Sequence, residues 1–78
     1  MKYVVGLIDG ANVGVMFNDC ISHSEVAHGL AGFKVTGAGF CDTQGNVWGE
    51  SDTLNIKSNP IDAHVLLIAQ HNFICPKP

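Results

Sequence analysis

The chain has 78 residues, 46% of them hydrophobic, with nine glycines and a net charge of −3, so it reads as one small soluble domain near the lower size limit for independent folding. Its four basic residues, Lys2, Lys34, Lys57 and Lys77, are spread along the chain without an arginine, which disfavours binding to duplex nucleic acid. No apolar run approaches the roughly 18 residues of a membrane span, and Met1-Lys2-Tyr3-Val4-Val5 leads straight into an alternating strand, so the chain is expected in the cytoplasm and off the membrane.

Lys2 to Ile8 is nearly all apolar and rich in β-branched residues, as a buried strand requires. Asp9-Gly10 supplies a turn, and Asn12 to Phe17 returns with Val13, Val15 and Phe17 on one face and Gly14 and Met16 on the other, which makes a hairpin. Asn18-Asp19 ends it. Ser22-His23-Ser24-Glu25 has the spacing of a capping box. A short helix follows to about Leu30, closed by Gly29 or Gly32.

The same order then recurs in longer form. Phe33 to Cys41 is a strand, Asp42-Thr43-Gln44-Gly45 a turn and Asn46 to Glu50 the returning strand, with Thr53 to Ile56 either extending it or pairing separately. Asn59-Pro60-Ile61-Asp62 offers a cap, a proline at the first helical position and an acid at the third. The helix it opens runs to about Gln70, with Ile61, Val65, Leu66 and Ile68 as an apolar stripe. The expectation is an α+β fold of two tandem strand-strand-helix units, 1–31 and 32–74, with a tail at 75–78. It has a mainly antiparallel sheet and two helices packed on one face. Similarities between Glu25-Val26-Ala27-His28 and Asp62-Ala63-His64 follow from common cap chemistry as readily as from duplication.

Cys20, Cys41 and Cys75 are odd in number and lack ligand spacing, so neither a disulfide framework nor a zinc site is favoured. A core this small supplies only about 3–5 kcal/mol. Self-association is the expected source of the rest, and the chain is read as a homo-oligomer. His23, Glu25 and His28 share a short helix, but five-residue spacing points the two rings apart, so helical histidines read as solvent-facing or structural. Cys41 reads as a small apolar strand residue.

Trp48 is the lone tryptophan, set among Gly45, Asn46, Gly49, Glu50 and Ser51. It reads as core, as a stacking platform or as an interface anchor. Gly37, Gly39, Gly45 and Gly49 leave room for a ligand or another chain to approach the backbone. The predicted ligand site is therefore Trp48, Glu50, Ser51 and Ser58. No catalytic constellation can be assembled and no cofactor is expected, which points to a binding module for a nucleotide-like small molecule or a host protein.

Two resemblances bear on function. The string Val4-Val5-Gly6-Leu7-Ile8-Asp9-Gly10-Ala11-Asn12-Val13-Gly14 resembles the first motif of the NYN and PIN-like metal-dependent ribonucleases, the protein-only RNase P type included. That resemblance implies Asp9 as a metal ligand with Asn12 beside it. It covers about a dozen residues, and the further strand-end carboxylates of that family have no clear counterpart, since Asp42 and Asp52 fall in turn-like contexts. The same Asp-Gly is a favoured hairpin turn, and that reading of the string comes first. From His23 onward, Ala38-Gly39-Phe40, Gly45, Gly49-Glu50-Ser51, Leu54, Ser58, Pro60 and Asp62-Ala63 resemble small accessory proteins of tailed bacteriophages. This implies a viral protein that acts by binding, as an inhibitor of host defence or a sponge for nucleotide signals, or else a structural virion or assembly component.

Overall fold

The computed structural model describes residues 1–68 and 73–74. The first hairpin forms as the alternation requires. Strands β1 (Lys2–Ile8) and β2 (Ala11–Phe17) pair antiparallel from Lys2↔Phe17 to Ile8↔Ala11. Asp9 and Gly10 between them have φ of 51° and 80°, the two left-handed residues of a type I′ turn, whose twist matches that of the flanking strands.

Helix α1 (His23–Gly29) starts where Ser22 Oγ accepts a 3.1 Å hydrogen bond from the Glu25 N–H. Leu30 caps its end. Strand β3 (Lys34–Cys41) then pairs antiparallel with β1, on the side away from β2, with a bulge that leaves Thr36 unopposed between Val5↔Gly37 and Gly6↔Val35.

The returning strand is shorter than expected. Of it, only β4 (Val47–Trp48) joins the sheet, beside β3, because Gly49 at φ 76° turns the chain away. Strands β5 (Glu50–Ser51) and β6 (Ile56–Lys57) form a separate two-stranded ribbon. Helix α2 (Ile61–Ile68) follows, and β7 (Phe73–Ile74) runs parallel to β2 at Met16 and Phe17. The sheet order is β4-β3-β1-β2-β7. Thus β1 bridges the two strand-strand-helix units, and each completes the other's sheet. The expected extension of α2 to Gln70, the pair His71-Asn72 and the tail from Cys75 lie outside the described residues.

The fold is α+β with a mainly antiparallel sheet, as the pattern of elements requires, but the two helices do not share a face. Adjacent strand residues point to opposite sides. Val4, Val15 and Ala38 pack with Phe17 and with Val26 of α1, whereas Tyr3, Val5 and Cys41 pack with Leu66 of α2. β1 is apolar on both faces, with Tyr3, Val4 and Val5 fully buried, and a strand so built must be covered twice. No helix among the described residues is long and apolar enough to cross a membrane.

Candidate functional site

On the α2 face, the start of the helix is tied to the sheet. Asn59 caps it, with Oδ1 accepting from the Ile61 N–H at 3.1 Å, while Asp62 Oδ2 accepts from the Asn59 N–H at 2.9 Å. This reciprocal pair is a capping box with an aspartate in the third position. Asp62 is buried, and the same Oδ2 accepts a 2.6 Å hydrogen bond from the Tyr3 hydroxyl. Burial, then the bond to Asp62 and its charge, push the Tyr3 phenol well above its ordinary range. It stays protonated and donating at any physiological pH.

Gly37 makes this contact possible. A Cβ there would lie 2.2 Å from Asp62 Oδ2. At Gly39 a Cβ would meet the Trp48 carbonyl oxygen and Ser58 Cβ. The open backbone expected to admit a ligand at these two glycines is therefore occupied by the chain's own Asp62, Trp48 and Ser58.

Beside α2 runs a groove of about 690 Å³, with Met1, Met16, Cys41, Ala63, Leu66 and Leu67 among its apolar lining. Its rim carries Asp42, Thr43, Gln44, Gly45, Pro60 and His64. The Asp42 carboxylate is spent on the turn, accepting from the Asn46 side chain at 2.9 Å, the Asn46 N–H at 3.0 Å and the Gln44 N–H at 2.8 Å. Those bonds, with the Asn46 side chain foremost, hold it below the usual carboxylate range. Burial pushes the Cys41 thiol up, so it packs as an apolar residue and is no thiolate nucleophile.

The opposite face holds a smaller cleft of about 180 Å³, lined by Lys2, Ser22, His23, Phe40, Glu50, Asp52 and Thr53. His23 is its deepest member, at 4% exposure. Its ring meets Phe17 and Phe40 edge-on, at centroid distances of 5.5 and 5.9 Å, and Nε2 lies 2.8 Å from the Gly39 carbonyl oxygen. A carbonyl only accepts, so Nε2 carries the proton and the ring is the Nε2–H tautomer. Burial lowers its pKa. The imidazole is neutral at pH 7.

The four residues predicted as a ligand site do not converge. Trp48 is 49% exposed on β4, Glu50 lines the smaller cleft, and Ser58 lies over Gly39. Ser51 is fully buried and structural, its Oγ accepting from the Leu54 N–H at 3.2 Å and lying 3.3 Å from Thr53 Oγ1. Asp9 stands exposed at the hairpin tip. Among the described residues, no group of three or more His, Cys, Asp or Glu side chains could hold a metal ion.

Sequence reasoning missed His23, Lys2, Asp52 and Thr53 as neighbours. They come from β1, the start of α1 and the β5–β6 turn, and no local spacing joins them. The one available signal was the cap Ser22-His23, which sets His23 at the first helical position, turned towards the sheet. Comparisons with protein-family models, with curated proteins and with solved structures found no match to this chain.

Proposed function

We propose that this protein is a non-enzymatic binding protein that works as a homo-oligomer, with α2 and the groove beside it as its contact surface. The observation that carries this reading is the exposure of Ile61 and Leu67, at 59% and 67%, on a helix whose polar residues are only Asp62 and His64. A helix apolar on nearly every side belongs in an interior. Leu66 satisfies that need on the sheet side, and Leu67 leads from the helix into the groove. Of the ligand classes expected, a protein surface suits the groove better than a nucleotide. Its lining is mostly apolar, no lysine among the described residues lines it, and Asp42 at the rim repels phosphate.

Light scattering on the full chain and on Leu67→Glu and Ile61→Lys tests this. The unchanged chain should exceed monomer mass, and each variant should return to the monomer with its circular dichroism unaltered. A strict monomer at all concentrations sinks the proposal. A rise in Tm with a nucleotide would replace a protein by a nucleotide as the ligand.

A further inference from the structure

We infer that the occupant of the α2 surface is a second copy of this chain, packed antiparallel across a two-fold axis through His64, so that protonation of the two facing imidazoles drives the copies apart. This rests on the reading of α2 as the self-contact surface, and adds to it a geometry and a control by pH.

An α-helix turns about 100° per residue, and burial sorts the residues of α2 around its axis. Asp62 and Leu66, four positions apart, are buried against the sheet. Ile61, His64 and Leu67 are exposed, and their three-residue spacing spreads them over an arc of about 120°. His64 stands at the middle of that arc, opposite the midpoint between Asp62 and Leu66, and near the middle of the helix. None of the three carries a carboxylate or an ammonium group, so the surface that fits them is uncharged as well. The run apolar, histidine, apolar reads the same from either end, which makes the arc its own complement.

A two-fold interface sets one patch against itself. Ile61 and Leu67 lie on opposite sides of His64 around the helix, and Leu67 lines the groove whereas Ile61 does not. A two-fold axis through His64, perpendicular to the helix, reverses both the direction along the helix and the side. It therefore sets the Ile61 of each copy on the Leu67 of the other, at the groove. Parallel helices would keep these apolar side chains apart. The antiparallel pair covers all four and brings each His64 against its counterpart.

Histidine is the side chain that changes charge between pH 5 and 8. Two neutral rings meet at the axis without repulsion, whereas two imidazolium ions repel in a contact that the surrounding apolar side chains have dried. No ionisable group of the described elements around α2 is free to pair with that charge. Asp62 is buried on the far side of the helix and bonded to Tyr3 of β1, Lys2 of β1 bonds to Ile21 beside the other cleft, and β2 has no ionisable side chain. Across the groove, Asp42 is bound into its turn, Cys41 is buried, and the Met1 ammonium pairs with Asp19 at 3.4 Å.

Analytical ultracentrifugation of the full chain at pH 7.5 and 5.5, with circular dichroism at both, tests this. The dimer Kd should rise at least about tenfold at the lower pH, and the ratio should shrink to within about twofold in His64→Gln. That variant keeps His23, so it subtracts any pH effect of the buried ring. The axis is tested separately by His64→Cys in a chain with Cys20 and Cys75 replaced by serine. Helices in contact lie about 8–10 Å apart with Cα atoms about 2.3 Å from each axis, which leaves the two Cα atoms at the two-fold roughly 4–5 Å apart, within disulfide reach. Oxidation with diamide should therefore link the copies. A Kd equal at both pH values, a pH response that persists in His64→Gln, or a His64→Cys chain that stays unlinked would each overturn the inference while leaving the α2 reading in place. A strict monomer at pH 7.5 would sink both.

Discussion

The Tyr3 hydroxyl, on the central strand, and the Asp62 carboxylate, in the first turn of α2, are joined by a 2.6 Å hydrogen bond across 59 residues of sequence. Both groups are buried, and Asp62 also closes the capping box. One carboxylate therefore fixes where the helix begins and where it sits on the sheet. Tyr3→Phe should cost about 1.5–3 kcal/mol, the range for a hydrogen bond to a charged group. Asp62→Ala should cost more, since it also removes the cap and strands the phenol. Urea denaturation measures both, and equal losses would show that the cap contributes nothing.

The approach of Asp62 to Gly37 sets up a glycine contrast. Gly37→Ala would put a methyl group 2.2 Å from Asp62 Oδ2 and should push α2 away from β3, destabilising by at least as much as Tyr3→Phe. Gly29→Ala meets nothing within 4 Å at the end of α1, and alanine's helix preference should leave stability unchanged or raise it by about 0.5–1 kcal/mol. In thermal melts Tm should fall for Gly37→Ala and hold or rise for Gly29→Ala.

His23 makes stability depend on pH. Its folded pKa lies below the ordinary 6.5 because burial disfavours the imidazolium, with Lys2 adding repulsion. As pH falls below about 6.5, the unfolded chain takes up a proton that the folded chain resists, and stability drops through the window down to the folded pKa. His23→Gln should flatten this part of the profile while lowering stability at pH 7.5, where the neutral ring still serves Gly39. Urea midpoints between pH 7.5 and 5 provide the check. An identical slope in the variant would assign the effect to other groups.

At the hairpin tip, Asn-Gly is as well suited to a type I′ turn as Asp-Gly. Asp9→Asn should therefore leave stability within about 0.5 kcal/mol of the original. Gly10→Ala, which forces a side chain to φ 80°, should cost about 1 kcal/mol. The same Asp9→Asn protein tests the ribonuclease resemblance, because metal-dependent cleavage of single-stranded RNA that vanished with this change would assign Asp9 a catalytic role.

Much of the local architecture was legible from residues close in sequence. Asp9-Gly10 specifies its own turn, Ser22 and Asn59 start their helices by bonding to N–H groups two or three positions on, and the alternation in β2 sorts Val13, Val15 and Phe17 from Gly14 and Met16. These choices depend on backbone geometry within a few residues. The predicted ligand site was not legible in the same way. Trp48, Glu50 and Ser51 are neighbours in the chain, but the left-handed Gly49 sends Trp48 and Ser51 to different surroundings, one half-exposed on the sheet edge and one buried in the β5–β6 ribbon.

What the amino-acid order determined by itself was the first hairpin, the starts of the two helices and the α+β class, because period and capping act locally. Tertiary structure alone decided that β1 lies at the centre with a helix on each face, that Asp62 rather than a ligand fills the space above Gly37, and that His23 meets Glu50 and Asp52 at one cleft. Those outcomes follow from burying both faces of one apolar strand and satisfying every polar group buried with it, conditions set between residues tens of positions apart.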